Sequence, residues 1–161
     1  MLYLSIAILI VLFGYVISSI IKSKELPLTL SDTYYLWPKW VFPTVMIYSG
    51  LGLLPCWLEI TEGHPLQFLV FLSCIGLVFV GATPNFRNDK LEYYIHMKAA
   101  YIASFAAVLA LAFIMYEWWY PFYVTALVFI IFFRNIKTHY IFLLELAVIE
   151  SSLGSVICAL K

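Results

Sequence analysis

Apolar residues run along this chain in six long blocks, at about 1–21, 40–58, 65–83, 93–116, 119–133 and 138–160, separated by short polar interruptions. A helix needs ~20 mostly apolar residues to cross a hydrocarbon core of ~30 Å. In that medium backbone groups must satisfy one another, so each block is predicted as a helix. The expected fold is all-α, a polytopic integral membrane protein built as a six-helix transmembrane bundle, with residues 1–161 forming a single transmembrane domain. The fifth block is short and should tilt little or borrow its flanking aromatics. The first block ends at Lys22 and Lys24. It lacks a basic leading region and a small-residue cleavage site, so it reads as a first span rather than a signal peptide.

The interruptions carry their own predictions. The second block contains Pro43, Gly50, Gly52 and Pro55. Proline removes a backbone donor and clashes with the preceding turn, so this helix should kink or break, and a break would turn carbonyls toward a ligand or ion. The loop from Leu26 to Trp37 is apolar and aromatic for a loop and should lie in the interface or dip into the bundle. Within it, Ser31 or Asp32 is expected to cap a short helix through Tyr34 and Tyr35. Pro84 should stop the third helix, and Asn88 or Asp89 should cap the fourth. Ala99, Ala103, Ala107 and Ala110 line one face of that fourth helix, where small side chains allow another helix to approach closely.

Composition agrees with the pattern. Hydrophobic residues make up 65 % of the chain and charged residues 11 %, against ~25 % charged in an average soluble domain. A soluble globule and a disordered segment are excluded. The formal net charge is zero, so no nucleic-acid partner is expected. Three scattered cysteines supply neither a disulfide framework nor zinc-ligand spacing. Of the nine basic residues, Lys22, Lys24, Lys39, Arg87, Lys90, Lys98, Arg134 and Lys137 fall on alternate, same-side loops and their edges. The intervening loops hold Glu59, Glu62, His64 and Glu117 and no basic residue. The positive-inside rule then puts the basic loops in the cytoplasm and both termini on the non-cytoplasmic side of an inner or plasma membrane.

The chemistry rests on polar residues that hydrophobicity should exclude, because such groups usually face the bundle interior and mark sites. Asp32, His96 and His139 share one depth near the cytoplasmic boundary and are the candidate catalytic residues. Ser31, Tyr34, Tyr35, Arg87, Glu145 and Glu150 are the candidate ligand-binding residues. Glu145 and Glu150 lie five residues apart, ~140° around a helix, and cannot form one carboxylate pair. Histidine and carboxylate groups suit zinc or iron, yet neither H-x-x-x-H nor H-E-x-x-H occurs, so no metal or cofactor is assigned. Ser31 and Asp32 with His96 point to hydrolytic chemistry, although no G-x-S-x-G elbow is present. The leading expectation is a small multi-pass membrane protein with a polar pocket near the cytoplasmic leaflet. It would bind a membrane lipid or amphiphile, or join other membrane-protein subunits or itself in a complex. The alternatives are an intramembrane lipid-modifying hydrolase, metal-dependent or not, using Asp32, His96 and His139, and a transporter or proton-conducting element using Glu145 and Glu150.

Overall fold

The computed structural model describes residues 1–114 and 139–160. Its helices are α1 (Leu2–Ser23), a 3-10 helix (Ser31–Leu36), α2 (Val41–Ile60), α3 (Gln67–Ala82), α4 (Lys90–Phe113) and α5 (Tyr140–Ala159). Among the described residues the protein is all-helical, without strands. Four helices are long and apolar enough to cross a membrane: α1, α2, α4 and the Ile141–Ala159 stretch of α5. At 16 residues α3 is shorter than expected for a full span. The fifth apolar block, 119–133, lies outside the described residues.

Local chemistry sets the helix ends. Lys24 closes α1 in the left-handed region, φ 60°, with its N–H bonded to the Ile20 carbonyl. Asp89 caps α4 by accepting the Glu92 N–H, as expected, and supplies one of the bonds that the first turn lacks. The 3-10 helix falls where the sequence places a short helix, but its cap differs. Leu30 is the capping residue, and Thr29 Oγ1 accepts the Asp32 N–H at 3.1 Å. The Ser31 and Asp32 side chains are committed elsewhere. The expected break in α2 is absent, and the helix runs continuously from Val41 to Ile60. Pro43 sits in the first turn, where its missing N–H has no intrahelical acceptor to lose, and Pro55 is absorbed inside the helix.

Helix α3 lies between α2 and α4. The approach is close because glycines face backbone. A Cβ on Gly50 would come within 2.8 Å of the Cys74 carbonyl, and one on Gly81 within 3.1 Å of the Pro43 carbonyl. On the other side of α3, a Cβ on Gly76 would meet Ala103 N and the Ala99 carbonyl, each at 2.9 Å. The alanine face of α4 therefore seats on α3, through Ala99 and Ala103. Helix α1 packs on α2, and α5 leans on α4, α1 and α2. Helices α1 and α3 end, and α2, α4 and α5 begin, at one end of the bundle, where residues 24–40 and 83–89 gather. That end is called the loop end here.

The outer surface carries Tyr101, Phe105, Phe113, Ile10, Ile17 and Leu51, all exposed. The interior holds Ser19, Thr33, Ser49, His96, Ser151 and Ser155 beside Phe42, Met46, Phe142 and Leu153. Many large apolar groups are thus exposed, and the mainly apolar interior also takes in several hydroxyls.

Candidate functional site

The loop end is organised around residues 27–37, which bond to α1, to α4, to α5 and the residue before it, and to the 83–89 loop. Starting at its first residue, the Pro27 carbonyl faces His139 Nδ1 at 3.0 Å, just before α5 begins. The Leu30 N–H donates to Glu145 Oε2 of α5 at 2.6 Å. Ser31 Oγ lies 2.8 Å from His96 Nε2 on α4. Asp32 pairs with the Arg87 guanidinium, whose plane also sits 5.0 Å from the centre of the Tyr35 ring. Thr33 Oγ1 donates to the Leu30 carbonyl and therefore receives the Tyr15 hydroxyl of α1, at 2.6 Å. Trp37 Nε1 donates to Ser19 Oγ, also of α1, at 2.8 Å. Six successive anchors convert an apolar loop into a fixed plug across the bundle.

The His96 ring is the most constrained group in this plug. It is 2 % exposed. Its Nδ1 lies 2.9 Å from the Thr83 carbonyl, and the Phe86 ring stacks on it at 4.4 Å with planes 17° apart. A carbonyl only accepts, so Nδ1 carries a proton. In the neutral ring Nε2 is then a bare lone pair, and the Ser31 hydroxyl is its donor. The segment that brings Thr83 and Phe86 to the ring is itself fixed, because Glu92 Oε2 accepts the Asn85 N–H at 2.9 Å and Tyr35 Oη accepts the Arg87 N–H at 3.2 Å.

Below the plug lies a partly open cavity of about 100 Å³. Its loop end is formed by Leu30, Ser31 and Glu145. Its walls are Met46 and Leu53 of α2, Cys74 and Leu77 of α3, Ala103 and Ala107 of α4, and Val148 and Ile149 of α5; Trp57 closes the far end. From Met46 to Trp57 is eleven residues of helix, so the cavity follows the bundle axis for ~16 Å at 1.5 Å per residue. Apolar cavities on the order of 150 Å³ stay dry and accept apolar guests. This one is lined mostly by apolar side chains, with Ser31 and Glu145 at the loop end and Ser73, Ser104 and Ser152 farther along its walls.

The predicted residues thus divide. Ser31 and Glu145 line the cavity. His96 touches it only through Ser31. Asp32 and Arg87 form a pair of which Arg87 is half exposed. Tyr34 is buried between Tyr35 and Phe42, with ring centres 5.0 and 6.2 Å away, and acts in packing. His139 is bonded to the loop backbone four residues before Ser31 rather than to His96 or Asp32. Glu150 lies farther along α5, outside the cavity lining. Among the described residues, no group of three or more His, Cys, Asp or Glu side chains is arranged to hold a metal ion. Sequence reasoning missed Thr83, Phe86 and the Leu30 N–H, because two of these act through backbone atoms that any residue type provides. Compared with known protein families, curated proteins and solved structures, the chain finds no match.

Proposed function

We propose that this chain is a multi-pass membrane protein that holds one acyl chain of a lipid or single-chain amphiphile inside its bundle, head toward Ser31 and Glu145. The observation that carries this reading is the cavity. Its ~16 Å length matches the depth of one leaflet's hydrocarbon, about half of a ~30 Å core. Its walls are mostly apolar with a few serine hydroxyls, and its one carboxylate, Glu145, stands at the loop end beside Ser31, an arrangement suited to an amphiphile. The outward display of Tyr101, Phe105 and Ile17 supports a lipid surround.

The loop end faces the cytoplasm in this reading. Lys22, Lys24, Lys39, Arg87 and Lys90 all belong to it, whereas Glu59, Glu62 and His64 lie at the opposite end. Both termini are then non-cytoplasmic. Single cysteines introduced at 59–64 should react with an impermeant maleimide added outside cells, and those at 87–90 should not; the opposite pattern refutes the orientation. Occupancy of the cavity is tested by titrating purified protein with a fluorescent fatty acid or lysophospholipid. Ser152 lines the cavity and spends its hydroxyl on the Val148 carbonyl of its own helix. Ser152→Phe should fill the space and weaken binding about tenfold or more, the equivalent of roughly two buried methylenes lost. Leu144→Phe, on the exposed face of α5, should bind like the parent. Equal affinity in both variants removes the cavity as the binding site.

A further inference from the structure

We propose that Ser31 and His96 form a nucleophile–base pair that cleaves a carboxylic ester of the acyl chain held in the cavity. The proposal rests on the acyl-chain reading above and adds chemistry to it.

Three observations meet at Ser31. Its hydroxyl donates to His96 Nε2 at 2.8 Å, the direction in which a general base activates a serine. The base is itself oriented, since Nδ1–H is held by the Thr83 carbonyl at 2.9 Å and the ring plane by Phe86. This completes the nucleophile, base and orienting-group sequence with a backbone carbonyl in the third position. Ser31 also lines the loop end of the cavity. An acyl chain lying along the cavity with its carboxyl group at that end brings its ester carbonyl to the serine that His96 activates.

The reaction balances with water as the sole co-reactant. Ser31 Oγ bonds to the carbonyl carbon while its proton passes to His96 Nε2. The bond from carbonyl carbon to alcohol oxygen breaks, and the departing oxygen takes the proton from His96, leaving acyl-Ser31 and a free alcohol. A water molecule then gives a proton to His96 and its oxygen to the acyl carbon. Ser31 Oγ leaves and recovers the proton, and the acid is released. Thr83 and Phe86 are positioning residues in this scheme, because they touch the base and not the substrate.

A long-chain alkyl fluorophosphonate is the probe, applied to the full chain in membranes and in detergent. The expected result is a covalent adduct that peptide mapping locates on Ser31. Ser31→Ala should abolish it, and His96→Gln should slow its formation roughly a hundredfold or more, the usual weight of a general base. A probe of the same reactive group on a short chain should label far more slowly. No adduct on Ser31, or equal labelling in the parent and in Ser31→Ala, overturns the proposal. If His96→Gln fails to fold, the Ser31→Ala comparison and the chain-length comparison decide. Fatty-acid binding measured on the parent separates the two levels. Binding retained without labelling of the parent ends the chemistry and keeps the acyl site, whereas loss of binding in the parent ends both.

Discussion

The α2–α3–α4 layer and the α5 side of the bundle are held by different physics. In the layer, glycines meet backbone, and removing side chains brings helices near enough for dispersion along their whole length. On the α5 side the helix is held off by a cavity and tied at one end, through Glu145 and the residue that precedes it, His139, to the 27–37 loop. Within a bilayer, apolar side chains gain little by leaving lipid for protein, so association depends on close packing and on hydrogen bonds between helices. The layer uses the first, and α5 adds the second at its loop end to the packing of Phe142, Leu153 and Val156. A protein that must keep an internal space open cannot close it by packing. Polar anchors at one end of that space hold the neighbouring helix without filling it.

The largest effect that would break this comparison is expected at Gly76. A Cβ there would lie 2.8 Å from the Ala103 Cβ, with backbone N and O of α4 close behind. Gly76→Val should therefore force α3 and α4 apart and cost about 1–3 kcal/mol or more, as overpacking does. Gly14 of α1 has nothing within 4 Å of its Cβ position, so Gly14→Val is the control and should leave folded yield and melting temperature in detergent nearly unchanged. Equal sensitivity at both positions would mean that the layer is not close-packed.

An intermediate effect is expected at Glu145. Glu145→Ala removes the acceptor of the Leu30 N–H, and Leu30 is only 5 % exposed. An orphaned buried donor costs ~1–3 kcal/mol. Glu145→Gln keeps an acceptor oxygen and should recover most of the loss. Hydrogen exchange at the 28–32 amides would report it directly: protection falls in the alanine variant and persists in the glutamine variant. If alanine leaves exchange unchanged, α5 is not anchored through this contact.

The smallest effect belongs to the Asp32–Arg87 pair. The Arg87 side chain is 50 % exposed and that of Asp32 13 % exposed. Exposed pairs contribute about 0–1 kcal/mol. Arg87→Ala should lower thermal stability slightly, and added salt should shrink even that difference. A large loss would move the pair from the periphery of the plug to its core.

Hydrophobic periodicity and length were sufficient to locate α1, α2, α4 and α5 within a few residues, because a helix boundary in lipid follows from where apolar sequence stops. Asp89 was legible as a cap for the same local reason, and the alanines of α4 as a close-contact face because small residues have few other uses there. Pro55 removes a donor without ending α2, since the sequence shows the missing N–H but not whether the helix continues past it. The third block was read at 19 residues and folds as a 16-residue helix, with turns before it at Thr61 to Gln67 that hydropathy does not resolve.

The polar residues divide the same way. That Ser31, Asp32, His96, His139 and Glu145 belong near one end of the bundle follows from their distance along their spans, at a fixed rise per residue. Which of them touch does not. Ser31 and His96 are 65 residues apart and Leu30 and Glu145 are 115 apart, so each contact depends on the rotation and separation of whole helices. Sequence by itself determined four helices long and apolar enough to cross a membrane and the end of the bundle to which Ser31, Asp32, His96, His139 and Glu145 belong, because those are one-dimensional consequences of apolar length and helical rise. Only the tertiary structure decided that His96 meets Ser31 rather than His139, that Glu145 bonds backbone rather than Glu150, and that a slender cavity remains beneath them. Those are matters of a few ångströms, set by glycines and alanines that bring three helices together and by a loop that holds α5 apart from them.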